Sequence, residues 1–270
     1  MANLDLTALA DARDRLISVA IEHFSIDPDV LGLFVSGSLA AGNSDAYSDI
    51  DLRVVVRHER HNWFVDHRRD FPKQWPGFLF NEWIPGARHC VSHFSPFNKV
   101  DIFYLDAEAL SPSPWYGLPV IIHHDPEKIV AGLVDHSKCL NFAVTADDID
   151  FSISKGLAAA HEAYRRAKRG ELFYSQTLLD ELRQHMMKSD DWLNNRTPET
   201  TVIAKFDRRS SPDVRHVLAG SYCEYDADMI LGALGRLLVV YRGQVMHLHQ
   251  RFKLSRPLRN DLVALAACCA

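Results

Sequence analysis

Asp49 and Asp51 stand one residue apart at the head of the apolar run Leu52-Arg53-Val54-Val55-Val56, shortly after Leu33-Phe34-Val35-Ser36 ends in Gly37-Ser38. A strand over 49–56 places side chains i and i+2 on one face, so both carboxylates project from the same side. Two anions held that close repel strongly unless a cation lies between them. Oxygen-only ligation with room for water suits a divalent ion such as Mg²⁺. An isolated Asp-x-Asp is an ordinary solvated turn, so the neighbouring residues decide its meaning.

Residues 31–36 are short, apolar and bounded by Gly37-Ser38, the pattern of a buried strand. Gly37 permits a sharp turn and puts no Cβ between its amide and a ligand. Ser38 offers a hydroxyl and an N–H to a phosphate, and Leu39-Ala40-Ala41 predicts a short helix whose N-terminus favours an anion. The turn-rich linker 42–48 is short enough to return the chain to a neighbouring strand. A phosphate-holding turn is thereby expected beside a metal-holding acid pair.

Gly37-Ser38 followed by Ser48-Asp49-Ile50-Asp51-Leu52 resembles the nucleotidyltransferase signature of the DNA polymerase β superfamily. In that family a later strand supplies a third carboxylate, and Asp101, between apolar residues in Lys99-Val100-Asp101-Ile102-Phe103-Tyr104-Leu105, is the candidate. The resemblance implies that Asp49 and Asp51 contact two Mg²⁺ ions. It also implies that Asp101 serves the acceptor-side metal and takes the acceptor proton, and that Gly37 and Ser38 hold the β/γ-phosphates of ATP. Chain size and a helical second half are similar to the nucleotidyltransferases that modify aminoglycoside and lincosamide antibiotics. Phe80-Asn81-Glu82-Trp83 and Lys205-Phe206-Asp207-Arg208-Arg209 are compatible with that group without defining it. Glu82, Glu171 and Glu181 are alternative general bases, and Lys155 and Arg165 are candidate triphosphate contacts, each also readable as ordinary surface charge.

The 270 residues are 47% hydrophobic, enough for a full core divided between two small domains. Residues 5–24 show amphipathic helical spacing, with strands expected near 31–36, 49–56, 78–84, 88–94, 99–105 and 118–122. His61 to Phe71 predicts a helix, Pro85-Gly86 a hairpin turn, and Asp125-Pro126-Glu127 a cap with proline at the first helical position, starting a helix to about 135. After about residue 140 strand patterns give way to helices over 146–168, 171–193, 213–220, 226–251 and 257–267, and Thr145-Ala146-Asp147-Asp148 resembles a capping box. The expected fold is α+β: a mixed-sheet transferase domain over 1–140, then a helical, substrate-binding bundle over 141–270.

A formal charge of −5 argues against a nucleic-acid partner, although Arg165, Arg166, Lys168 and Arg169 form a local basic patch. Cysteines at 90, 139, 223, 268 and 269 form no Cys-x-x-Cys pair and leave one over, which reads as reduced thiols in a cytoplasmic protein. The fourteen histidines, His123-His124 and His247/His249 among them, lack a Cys or Glu partner set for zinc. Asp5, Asp11 and Asp14 interrupt any apolar leader, and no membrane span is expected.

The resulting expectation is metal-dependent transfer of a nucleoside monophosphate, AMP from ATP, to a hydroxyl of a small antibiotic-like acceptor. Transfer to tRNA or protein is the alternative within the chemistry, and a nucleotide-binding antitoxin-like partner is the non-catalytic one. Acidic groups at Asp147-Asp148-Asp150, Asp180-Glu181 and Glu224/Asp226/Asp228 suit a polycationic acceptor, but helix N-terminal preference accounts for Asp147-Asp148 and Asp226/Asp228.

Overall fold

Period-two alternation writes the sheet. In the computed structural model, which describes residues 5–254, six strands form: β1 (Val30–Ser36), β2 (Ile50–Val56), β3 (Phe78–Glu82), β4 (His89–Phe94), β5 (Asn98–Asp106) and β6 (Ile121–His124). Their spatial order is β3-β4-β5-β2-β1-β6. Pairing is antiparallel throughout except for the parallel pair β2–β5, so the sheet is mixed.

One face carries Leu33, Val35, Ile50, Leu52, Val54, Val56, Val100, Ile102 and Tyr104 into a core. Helix α1 (Leu6–Ser25) covers it with Leu16, Ala20 and Phe24, and its first turn is capped by Asp5, whose carboxylate accepts from Thr7 N at 2.9 Å. The β-branched and aromatic content of these strands suits a half-buried pleated surface. Helix α3 (His58–His67) adds Phe64, and Phe71, Trp75 and Phe94 close that side.

The opposite face carries a smaller cluster. It is formed by Phe34, Val55 and Val130, joined by Leu105, Leu110 and Tyr116. Val130 comes from α4 (Ile129–Ser137). By alternation Asp51 and Arg53 share the face of Val55, and Asp101 and Phe103 share that of Leu105.

Four expectations shift. Asp49 lies one residue before β2 rather than within it, and β6 begins at Ile121 instead of 118. Helix α3 starts at His58, directly after β2, and ends at His67. Helix α4 begins at Ile129 with Lys128 as its cap residue, so Pro126 is in a turn and not at the first helical position. Asp125 still serves the helix end from outside, accepting from Val130 N at 3.0 Å and Ala131 N at 2.8 Å. The strand Gly37 ends is followed by helix α2 (Gly37–Ala40), which therefore includes the glycine. Between β3 and β4, Ala87 N donates to Ile84 O at 3.1 Å across the Pro85-Gly86 turn.

The chain divides between Asn141 and Phe142 into two compact units, the second all helical in its described residues. It contains α5 (Ala146–Lys168), α6 (Leu172–Leu193), α7 (Phe206–Arg209), α8 (Pro212–Ala219) and α9 (Ala227–Phe252). Thr145 and Asp148 form a reciprocal capping box at the start of α5. The long connection after α6 is fastened by charge: Arg209 bonds Asp191, while Arg196 reaches both Asp190 and Asp191.

Helix α9 is long and apolar enough to cross a membrane by length and composition alone. Its Ile230, Leu234, Leu237, Leu238, Tyr241 and Leu248 are instead the centre of the bundle core. Cys90, Cys139 and Cys223 are free thiols. The predicted helix over 257–267 and Cys268-Cys269 lie outside the described residues.

Gly156 makes room on α5 for a side chain of α9: an added Cβ would meet Tyr241 Oη at 2.3 Å and its ring carbons at 2.7 and 3.0 Å. Tyr241 is fully buried and donates to Ile153 O, so its ring has nowhere to swing. Gly156→Val is expected to destabilise the second unit by about 2–3 kcal/mol through overpacking. A lower urea midpoint at unchanged slope would report it; an unchanged midpoint would mean the core yields there.

Candidate active site

Strand register brings two of the predicted acids together. Asp51 on β2 is the register partner of Asp101 on β5, so the two lie side by side on one face of neighbouring strands about 4.8 Å apart. Ser36, the last residue of β1, is the partner of Asp51 from the other side. The Gly37 backbone follows at φ 70°, and a Cβ there would lie 2.1 Å from Asp51 Oδ2. Ser38 is buried in the first turn of α2. The Gly-Ser turn and the acid pair thus abut.

Unit charges about 5 Å apart repel by about 3 kcal/mol at an effective dielectric near 20. Two cations temper this. Lys99 Nζ donates to Asp49 Oδ2 at 2.7 Å and to Asp101 Oδ2 at 3.2 Å. The Arg53 guanidinium lies 3.9 Å from Asp51 Oδ1 and 3.8 Å over the ring of Phe103. Phe103 is stacked in turn on His89 at 5.1 Å. Sequence reasoning gave Lys99 and Arg53 no role. The signal was present: each is two residues from a site acid on the same strand, hence on the same face.

Burial pushes the Asp51 carboxyl above its usual range, with Arg53 opposing and Asp49 and Asp101 reinforcing. Burial does the same to Asp101 against the pull of Lys99. Lys99 would be lowered by its own burial, but Asp49 and Asp101 hold it above its ordinary value. Arg53 is held below its usual range by burial, against the attraction of Asp51. Asp101 Oδ1 and Arg53 Nη1 are buried with no hydrogen-bond partner.

Among the described residues no three His, Cys, Asp or Glu side chains are closed into a ready metal-ligand set. The Lys99 ammonium stands between two of the expected ligands, Asp49 and Asp101. The donor chemistry nevertheless suits a hard divalent ion: carboxylate oxygens from two adjacent strands, one of them buried and unpartnered.

The other candidates lie on other elements. Glu82 on β3 is on the same face, two strands from Asp101, with its carboxylate 3.5 Å from His93 Nε2. In the second unit Glu171 is engaged by Arg166 and Arg169, and Arg165 by Glu162, so most of the basic patch is internally paired. Lys155 and Glu181 are exposed on α5 and α6. Asp148 and Asp226 cap helices and Asp180 pairs with buried Arg183, which explains these acids locally.

No family model matches the chain, and no curated protein matches it. Two of the solved structures it matches are an aminoglycoside 6-adenyltransferase from Bacillus subtilis and a nucleotidyltransferase-like protein from Exiguobacterium sibiricum. The first is 11% identical at a TM-score of 0.46, covering 95% of this chain and 97% of that one. The second is 14% identical at 0.39, covering 94% of this chain and 87% of that one.

Proposed function

We propose that the chain is a nucleotidyltransferase that moves AMP from ATP to a hydroxyl of a small acceptor. The observation that carries this reading is the Asp51–Asp101 register on adjacent parallel strands, closed on one side by the Gly37-Ser38 turn. The resemblance of Gly37-Ser38 and Asp49-Ile50-Asp51 to the polymerase β superfamily signature supports the same chemistry.

In this reading Asp49, Asp51 and Asp101 would hold Mg²⁺, two ions in all, which would supply charge neutralisation of the triphosphate. Ser38 and the backbone at Gly37 hold the β- and γ-phosphates. The acceptor oxygen forms a bond to the α-phosphorus, the bond to the bridging oxygen breaks, and pyrophosphate leaves. Asp101 takes the acceptor proton. A negative net charge favours a small acceptor over a nucleic-acid backbone, and an aminoglycoside or lincosamide hydroxyl is the first to test.

The test is incubation of purified protein with labelled ATP, Mg²⁺ and a panel of hydroxyl-bearing acceptors, followed by mass analysis. A product heavier by one AMP is expected, together with pyrophosphate, and chelation should abolish both. Full turnover in metal-free, EDTA-treated buffer would sink the metal assignment. A GTP or CTP preference would change the nucleotide and leave the reaction class standing.

A further inference from the structure

We propose that the Lys99 ammonium is the resident counter-ion of the acid cluster, and that a divalent cation enters by displacing it. The inference rests on the reading of Asp49, Asp51 and Asp101 as cation ligands.

Lys99 spans two of these acids, with Nζ 2.7 Å from Asp49 Oδ2 and 3.2 Å from Asp101 Oδ2. Those are oxygens that a hard divalent ion would take. An ammonium and a dication cannot share them, since both are cations and the contacts are already at hydrogen-bonding distance. Binding is therefore an exchange, and the observed affinity includes the cost of releasing Lys99.

The second cation at the site is built differently. Arg53 is clamped on the Phe103 ring and stands off Asp51 at 3.9 Å, so it neutralises without occupying a ligand position. A lysine is a point charge on a flexible four-carbon stem, free to swing out. Its side chain is also more exposed, 35% against 18% for Arg53, so its exit is towards water. Asp101 Oδ1 is buried without a hydrogen-bond partner, so that carboxylate has an oxygen to offer a cation besides the one Lys99 holds.

The full-length protein is titrated with Mn²⁺ by calorimetry without nucleotide. Lys99→Met and Lys99→Gln are each expected to bind Mn²⁺ about tenfold more tightly than wild type. Lysine acetylation with an active ester, read by peptide mass spectrometry on the wild type, tests release directly and needs no variant. Lys99 labelling should rise severalfold as Mn²⁺ saturates. Lys73 and Lys138, paired with Asp70 and Asp135, should keep their rates. Displacement is overturned if both Lys99 variants bind no more tightly than wild type, or if Lys99 labelling stays flat while Mn²⁺ binds. Absence of Mn²⁺ binding, or binding that Asp51→Asn leaves intact, would remove the cation site itself and the proposed function with it.

Discussion

Asp51→Asn is expected to lower turnover by at least about a thousandfold while the protein stays folded. The substitution keeps side-chain volume and removes one negative charge from the oxygen cluster. A metal contribution of several kcal/mol acts mainly on the transition state, and each ~1.4 kcal/mol is tenfold in rate. Stability should move the other way. Burial raises the Asp51 carboxyl above its reference value of 3.8, so the folded chain holds that proton more tightly than the unfolded one. The contribution is present below the reference value and is lost as pH rises through the raised one, leaving the ionised, metal-free site a cost at neutral pH. Asparagine cannot ionise, so the urea midpoint at pH 7 should be equal or higher in the variant. Asp49→Asn and Asp101→Asn should lose turnover similarly, with nucleotide binding spared most in Asp101→Asn. If all three variants stayed folded with near-normal rates on the true acceptor, the acids would have to be read as structural.

Gly37→Ala is expected to cost both stability and activity. The residue sits at φ 70°, where an L side chain costs about 1–2 kcal/mol. Its Cβ would also come within 2.1 Å of Asp51 Oδ2, so either the turn or the carboxylate must move. Displacing a reacting-site group by about 1 Å can cost a hundredfold in rate. Turnover should therefore fall at least about a hundredfold, with a lowered melting temperature. Ser38→Ala is the contrast: it should weaken nucleotide affinity by about 1–3 kcal/mol at most and spare the fold. A Gly37→Ala variant with wild-type kinetics and melting would show that the turn is not fitted to Asp51.

The candidate acids Asp49 and Asp51 were legible as a local Asp-x-Asp pair, and Asp101 as an acid between apolar residues on the later strand where the family resemblance calls for a third carboxylate. The capping box at Thr145 and the helices over 146–168 and 171–193 were equally local. What the sequence could not display was cross-strand register. Nothing in one dimension says that Asp51 faces Asp101 and not Phe103, nor that Lys99 reaches back to Asp49. The cap of α4 was misplaced because Asp125 bonds amides five and six residues away, beyond the usual capping distance. Helix α9 passes a compositional test for a membrane span because a fully buried core helix has the same apolar content.

Strands β3 and β4 pair through a short turn, and β1 and β2 pair across a short linker, so each couple forms from neighbouring sequence. Strand β5 is the seam between them, paired with β4 on one edge and β2 on the other. Its pairing with β2 closes a loop of about fifty residues, the kind of non-local step that slows folding. A nascent chain that has emerged only to residue 97 lacks β5 and with it Lys99 and Asp101. The carboxylates meet when the seam is sewn, so their repulsion is confronted at the step that unites the sheet, with Lys99 arriving on the same strand as Asp101.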